Sequence, residues 1–348
     1  MSVLPAHEVA LEIGGLGYLG WTEIAVERSI NAMSGSFDLT LASKEKTGAQ
    51  DWPIEDGAMC RVLLGSEVLV TGYVDAVSRS IRESDRVLRV RGRDKAADLI
   101  DCSALNAPGS WSGKSLETIA KALLAPFDIA LKIEGDVGSS FTKFALQPGE
   151  SVFAAVDRLA HYRGLVAWSS GDGMLRIGNP DTGARTGRIV EGINVMDADA
   201  SRDMSERYSQ YVIKGQASGS DTRSGKTVAQ IKGEASDGGV SRYRPLLVIA
   251  GEQSDKTTLG KRAAWEASVR YGRARPVHVT VPGWLTDDGT VWAPGARAAC
   301  KIPSCKIDDD MLVERVRTVR NSDDGTVTYL DLVPPEAWTQ LAESEASS

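Results

Sequence analysis

The run VLRVRGRDKAADLIDC at residues 87–102 limits the possible folds more than any other, because it starts as a strand and ends as a helix. Its first residues are β-formers alternating with arginines, Gly92 breaks the run, and Asp94 can cap a short helix. Almost every segment before this run has a strand pattern, and helical patterns appear only after it. The sequence therefore predicts that one β domain closes here and that a mixed domain begins.

Strand patterns dominate the first part of the chain. Apolar and polar residues alternate within residues 36–41, as in a half-buried strand, residues 9–13 have the pattern of a first strand, and residues 59–64 and 68–77 have hairpin-like patterns. Gly72 lies inside the last of these segments and predicts a bulge or a close backbone approach. Strands joined by short glycine turns at this spacing indicate a sandwich or a small barrel.

Helices and a hairpin are predicted after residues 87–102, which we call the strand-to-helix switch. Residues 115–124 and 151–162 have amphipathic helical patterns that begin at a capping serine. Residues 165–168 and 174–177 predict a hairpin. The later predicted elements are strands at 208–215, 277–281, 298–302, 312–319 and 327–332, a helix at 259–273, and a long exposed loop at 216–240.

Two distant parts of the chain resemble each other. Gly57–Ala58 precedes Cys60 and three strand patterns, and Gly295–Ala296 precedes Cys300 and three strand patterns in the same order. This predicts two similar β domains that flank a mixed one. A chance likeness is the alternative, since strand patterns resemble one another.

Composition narrows the class of protein. A chain of 348 residues indicates two to four domains. The net charge of −7 argues against a broad surface that grips phosphate backbones. No membrane span or secretion signal is expected, and the four scattered cysteines predict free thiols in or near cores.

Two glycine-rich motifs suggest nucleotide binding, and both are discounted. The GxGxxG pattern at residues 15–20 follows a strand, but the residues after it favour a strand as much as a helix, so a β turn is the better interpretation. Residues 219–227 nearly match a phosphate-binding loop, with five spacer residues where four are needed. A flexible loop is the better interpretation of that segment.

The remaining polar motifs also have plain interpretations. Cys300 and Cys305 lack a second ligand pair, so a strand and a turn position are expected rather than zinc. The three aspartates at 308–310 could bind a cation, but a solvated hairpin tip is preferred. His161 is expected at a helix end, facing the helix dipole.

A family resemblance begins at the switch. The run RGRDKAADLIDCS at residues 91–103 resembles the strand-to-helix junction of the baseplate hub proteins of Mu-like contractile-tailed phages, often called tail protein or late control protein D. Further segments on both sides of this run are also similar to the family and occur in the same order as in the family. They lie at residues 21, 30–41, 147–160, 171–175, 205–211, 242–245 and 281–292.

The resemblance and the patterns together imply a domain arrangement. The expected fold is α+β and mostly β, with two similar antiparallel β-barrel (tail-tube-like) domains and α+β domains between them. The expected boundaries are residues 1–100 for the first barrel, 101–180 for an α+β domain with two helices and a hairpin, 181–215 and 275–335 for a discontinuous second barrel, 216–274 for an inserted loop and helix region, and 336–348 for a tail.

The resemblance also implies a structural role in the virion. Three copies are expected to form a pseudo-sixfold ring that joins the sixfold tail tube to the threefold central spike and lets DNA pass during ejection. The implied partners are the other copies in a homotrimer, the spike, a tail tube or tube-initiator protein and other baseplate proteins. DNA would pass without specific binding, and an acidic wall would repel it.

The implied location is the virion tail baseplate, after assembly in the host bacterial cytoplasm. No catalytic, cofactor-binding or metal-binding residue is expected, so the chain is not expected to be an enzyme. Two alternatives remain at this point: a tail-associated cell-wall hydrolase, and a carbohydrate-binding β protein that recognises the host.

Overall fold

The computed structural model describes residues 7–43, 52–81, 85–105, 108–181, 183–216, 231–253 and 256–339. Within these ranges the protein is mostly β, with several sheets and four α-helices. This confirms the mostly β class that the sequence predicted. No helix in the described part of the chain is long and apolar enough to cross a membrane.

The elements fall into three groups along the chain. The first group is β1 (Val9–Ile13), β2 (Leu16–Tyr18), β3 (Glu23–Ser29), β4 (Ser36–Ser43), β5 (Met59–Leu64), β6 (Glu67–Ile81) and β7 (Arg86–Asp94). The second group is α1 (Ala97–Asp101), β8 (Ser110–Lys114), α2 (Leu116–Leu124), β9 (Leu131–Glu134), β10 (Phe141–Ala145), α3 (Val152–His161), β11 (Val166–Ser169) and β12 (Leu175–Gly178).

The third group completes the fold. It is β13 (Arg185–Val190), β14 (Asp197–Ala200), β15 (Gln210–Gln216), β16 (Ile231–Ser236), β17 (Pro245–Gln253), α4 (Lys256–Arg273), β18 (Val277–Pro282), β19 (Arg297–Ile302), β20 (Ile307–Asn321) and β21 (Gly325–Val333).

One large sheet combines strands from the first and third groups. Its strand order is β14-β18-β21-β20-β3-β4-β7-β6-β5-β1-β2, and β19 and β13 branch from β20. The path has two ends and does not return to its start among the described residues. The predicted closure of the β domains into barrels is therefore not confirmed.

The two halves of this sheet have the same strand order. The first half runs β3-β4-β7-β6-β5-β1 and the second runs β14-β18-β21-β20-β19-β13, with the strands in matching chain order. The halves differ at one pairing, because β1 is antiparallel to β5 and β13 is parallel to β19. Sheet β15–β17 and helix α4 are inserted between β14 and β18 of the second half.

Gly57 and Gly295 occupy matching positions in the two halves. Each has a positive φ, 78° and 83°, that glycine adopts without strain. Their amides donate to Val74 O at 2.7 Å and to Val313 O at 2.9 Å. Cys60 lies three residues after Gly57, whereas Cys300 lies five residues after Gly295. The two cysteines are therefore not at matching positions, although the sequence likeness had aligned them.

Separate apolar cores support these units. One lies inside the first half of the large sheet and another inside the second. A third is formed by α2, α3 and the sheet β11-β12-β9, and a fourth by α4 against β15 and its neighbours. Ser115 and Ser151 cap α2 and α3 as predicted, each accepting a backbone N–H at 3.2 Å.

The switch region differs in detail from its prediction. Gly92 does not break the strand, because β7 continues through Asp94. A Cβ at Gly92 would lie 2.4 Å from the ring of Phe37, so the glycine makes room for that ring. Asp94 does not cap α1, whose N-cap is Ala96. The carboxylate of Asp94 instead accepts hydrogen bonds from the backbone N–H groups of Gly35 at 2.6 Å and Ala96 at 3.0 Å.

Two other expectations are wrong. Residues 231–236 of the predicted loop form β16, which pairs with β15, while residues 217–230 lie outside the described residues. The aspartates at 308–310 belong to β20 and pair with β19, because the turn falls earlier, at Pro303–Cys305. Strands β8, β10, β13, β14 and β17 were not predicted.

A substitution at Gly72 tests the close approach between the backbones of β6 and β7. A Cβ at Gly72 would lie 1.9 Å from the carbonyl oxygen of Arg93, and backbone cannot move aside as a side chain can. We expect Gly72→Ala to lower the free energy of unfolding by about 2–3 kcal/mol. Urea denaturation followed by circular dichroism measures this.

The matched control is Gly17→Ala, because nothing lies within 4 Å of a Cβ at Gly17. That substitution should change the free energy of unfolding by about 0.5 kcal/mol or less. Equal stability of the two variants would contradict the proposed clash.

Candidate assembly surface

The eight-strand run β14-β18-β21-β20-β3-β4-β7-β6 of the large sheet has one face packed on the apolar cores and one open face. Side chains alternate between the faces along each strand, so the residues of the open face follow from the strand pairing. Most of them are polar. Its charged members are Glu23, Glu27, Asp38, Asp75, Arg89, Arg91, Arg93, Asp197, Asp199, His278, Arg315, Arg317 and Asp331.

Ion pairs between neighbouring strands neutralise much of this face in its first half. Arg89 on β7 makes a bidentate contact with Asp38 on β4, with Nε to Oδ1 at 2.8 Å. Arg93 contacts Asp75 at 2.7 Å and Asp101 at 2.8 Å. Hydrogen bonds to these carboxylates raise the pKa of both arginines, so the guanidinium groups stay charged.

The second half has a comparable cluster. Arg315 on β20 donates to Asp331 on β21 at 2.6 Å and lies 3.7 Å from Glu27 on β3. The hydrogen bond to Asp331 raises the pKa of Arg315. His278 Nδ1 lies 2.7 Å from the other oxygen of Asp331. The open face therefore carries both signs of charge side by side and is not uniformly acidic.

The junction between the halves is an antiparallel pairing of β20 with β3. The register places Arg317 opposite Glu27, Thr318 opposite Val26 and Val319 opposite Ala25. The contact between Arg315 and Glu27 crosses this junction. Main-chain pairing and charge thus act together where the two halves meet.

Each end of this eight-strand run, β14 to β6, has an edge that no described strand covers. At one end, β14 pairs with β18 on its inner side only. At the other end, β6 pairs with β5 only up to Tyr73, so residues 76–81 pair with β7 alone. An uncovered strand edge presents unpaired N–H and C=O groups that can bind another strand.

A cavity of about 350 Å³ lies where the first half, the second half and the hairpin β11–β12 meet. Burial lowers the pKa of Arg28, which lines it, to about 10. Arg28 donates to the carbonyl oxygen of Trp292 at 2.6 Å. Burial also raises the pKa of Asp94, which accepts two amides. The bond of Arg28 joins the first half to the second, and the bonds of Asp94 hold the end of β7 where the second group of elements begins.

The sequence motifs are dispersed and do not form a common site. The GxGxxG segment lies in the turn and hairpin of β1 and β2, and β3 follows it instead of a helix. This confirms the β-turn interpretation. The segment at 219–227 lies outside the described residues.

The other candidates are also apart. Cys300 is buried in β19 and Cys305 lies in the turn after it, as expected. Burial raises the pKa of Cys60 and of Cys300 to about 12. Cys102 is exposed, contrary to expectation. His161 is the last residue of α3, as predicted, and its Nδ1 lies 2.9 Å from the carbonyl oxygen of Asp157.

In the described ranges no three His, Cys, Asp or Glu side chains are grouped so that they could hold a metal ion. Sequence reasoning missed the two edges, which are the main features of this surface. The signal for β14 was weak, because alternating Asp and Ala over residues 197–200 has the right period but poor strand propensity.

Family models match four consecutive parts of the chain. Residues 8–94 match the N-terminal domain of Mu phage baseplate assembly protein GpP-like, and residues 96–179 match the second domain of baseplate hub protein gp44-like. Residues 207–264 match the third domain of tail protein NMB1110-like, and residues 256–341 match the fourth domain of Mu phage baseplate assembly protein GpP.

Relatives match over nearly the full length. The chain is 30% identical to baseplate hub protein gp44 of Escherichia phage Mu, covering 98% of this chain and 91% of that one. The 43 kDa tail protein of prophage MuSo2 from Shewanella oneidensis superposes with a TM-score of 0.84 at 31% identity, covering 96% of this chain and 100% of that one. The tail protein of Neisseria meningitidis MC58 shares the fold, with a TM-score of 0.79 at 24% identity over 96% and 98% of the chains.

Proposed function

This chain belongs to the baseplate hub proteins of Mu-like phages, and from that membership we propose that three copies form a ring at the centre of the tail baseplate. The ring joins the sixfold tail tube to the threefold central spike and lets DNA pass during ejection. The role is structural, and no residue is assigned to catalysis.

The repeated strand order is the observation that carries this proposal. Two halves with the same order give each chain two similar surfaces side by side. Three chains then present six such surfaces around one axis, which can match a sixfold tube on one side. The remaining parts of the chain occur once per copy, so they repeat threefold and can match a spike.

The domain division follows the same logic. We treat residues 1–100 and the discontinuous residues 181–215 and 275–335 as the two tube-like domains. Residues 101–180 form the α+β domain between them, and 216–274 form the insertion. The separate apolar cores support four units of this kind but move two boundaries. Leu99 packs in the core of the α+β domain, and Tyr211 and Ile213 of β15 pack with α4. The first domain therefore ends near residue 95, where two family matches meet, and the insertion begins with β15.

The uncovered edges favour ring formation. The edge of β14 and the edge of residues 76–81 are different surfaces at opposite ends of one run of strands. A contact between different surfaces of identical chains is heterologous, and heterologous contacts form a ring when the rotation closes. A permanent ring should bury on the order of 2,000 Å² or more at each subunit contact.

The open face of the sheet is the proposed wall of the DNA channel. Its carboxylates and arginines are paired on neighbouring strands, so little unbalanced positive charge faces the lumen. The wall then offers few free cations that could displace the counterions condensed on a phosphate backbone. DNA passes because the wall is internally neutralised, with a small excess of carboxylates.

The partners follow from the place of the ring. The central spike protein binds on the threefold side, a tail tube or tube-initiator protein binds on the sixfold side, and other baseplate proteins surround the hub. Assembly takes place in the host bacterial cytoplasm, before the virion is released.

The mass of the protein in solution tests the ring. We expect light scattering and native mass spectrometry to give three times the chain mass of 37.2 kDa, and negative-stain images to show six similar lobes. A monomer or a dimer at every concentration up to about 100 μM, well above the range of obligate contacts, would contradict the proposal.

DNA binding tests the neutralised wall. The triple variant Asp38→Asn, Asp75→Asn, Asp331→Asn removes carboxylates that pair with Arg89, Arg93 and Arg315. We expect fluorescence anisotropy to show little binding of a short duplex by the wild type. The variant should bind with micromolar affinity that falls steeply with salt.

The control variant changes the net charge equally at other surfaces. Glu12→Gln, Glu117→Gln and Glu234→Gln remove the carboxylates that pair with Arg61, Lys121 and Lys232. It should bind DNA no better than the wild type, and both variants should keep the wild-type mass. Equal gains in the two variants would show that net charge, and not the open face, controls DNA binding.

A further inference from the structure

We propose that residues 76–81 of β6 pair with β14 of the next copy of this chain, in the register that β20 and β3 already use within the chain. This inference rests on the proposed trimer and adds the strands and the register of its subunit contact. The junction inside each chain then serves as the template for the junction between chains.

The first argument is the equivalence of β6 and β20. Both strands span 15 residues, and each changes partner along its length. Each contains one bulge against its inner neighbour, at Asp75 in β6 and at Glu314 in β20. Before the bulge β6 pairs with β5, and β20 pairs with β19.

Backbone hydrogen bonds fix this equivalence to the residue. Val74, just before the first bulge, donates to Ala58 O at 3.0 Å, and Val313, just before the second, donates to Ala296 O at 2.9 Å. Beyond the bulge, β20 gains β3 as its outer neighbour, whereas residues 76–81 of β6 have none in the described structure. The uncovered edge of β6 is therefore the position at which a strand equivalent to β3 would pair.

The second argument is that β14 is the equivalent of β3. Each is the outermost strand of its half, next to β4 and β18 respectively. Thr22 donates to Thr40 O at 2.8 Å just before β3, and Met196 donates to Thr280 O at 2.9 Å just before β14. Glu23 on β3 therefore matches Asp197 on β14.

The register follows by transferring the known junction. Within the chain, Val319 lies opposite Ala25 and Arg317 lies opposite Glu27. By the two equivalences, Ser78 and Ser80 of β6 match Arg317 and Val319 of β20. In the same way, Asp199 of β14 matches Ala25 of β3, and Ser201, just after β14, matches Glu27. The expected pairs between copies are Ser80 with Asp199, and Ser78 with Ser201.

Charge and exposure agree with this contact. The β14 edge carries the exposed carboxylates of Asp197 and Asp199, whereas residues 76–81 at the other edge include no carboxylate. Two β14 edges brought together would place carboxylates side by side, which costs free energy. Contact between opposite edges avoids this cost, so head-to-tail contact is favoured over contact between two β14 edges.

Cysteine cross-linking tests the register in the full chain. The test variant is Ser80→Cys with Asp199→Cys, in a Cys102→Ser background because Cys102 is the exposed native thiol. Directly opposite residues meet the distance limit for a disulfide. Mild oxidation should give covalent dimers and trimers on a non-reducing gel.

A disulfide within one chain cannot produce this result. Seven strand-to-strand steps separate β6 from β14 along the sheet, which is about 34 Å at ~4.8 Å per step. The matched control is Ser78→Cys with Asp197→Cys, whose positions are also exposed and on the open face. In the proposed register they lie about 13 Å apart, so we expect about a tenfold lower yield of cross-linked trimer.

The outcomes separate the contact from the ring. The mass of each reduced variant is measured first, and Ser78→Cys with Ser201→Cys provides a second in-register pair. If the wild type is not a trimer, the proposed function itself fails. If it is a trimer and neither in-register pair cross-links better than the control, the proposed strand pairing is wrong while the ring remains.

Discussion

The antiparallel pairing of β20 with β3 is the interaction on which the rest of the architecture depends. It joins two halves that have the same strand order into one continuous sheet. Because the second half is added at the edge of the first, one edge of each half is used inside the chain. The other edges, at β14 and at residues 76–81 of β6, remain uncovered in the described structure. These two uncovered edges are the ones that we propose meet between copies of the chain.

The same sheet explains how charge is distributed on the open face. Alternation along each strand puts one set of side chains in the apolar cores and the other set outside. Neighbouring strands then bring Arg89 to Asp38 and Arg315 to Asp331, so opposite charges meet across the sheet. Such exposed pairs contribute little to stability. Their effect on the surface potential is larger, since they leave few unpaired cations for phosphates.

Local reasoning succeeded where a segment carries its own pattern. Helices α2 and α3 have amphipathic faces and serine caps, and strand β4 alternates apolar and polar residues over 36–41, so all three were predicted closely. It failed where a distant partner decides the outcome. Gly92 stays in a strand because β4 and β6 pair with it on both sides, and the aspartates at 308–310 are extended because β19 pairs with them.

The sequence by itself determined the mostly β class, the strand-to-helix switch, the likeness between Gly57 and Gly295 and the membership of the hub family. Each of these depends on residue types and spacings that can be read along the chain. Only the tertiary structure decided which strands join the halves, which edges stay uncovered and which charges meet. Those features depend on pairing between strands up to about three hundred residues apart, such as β3 with β20, and strand patterns alone do not specify partners or register.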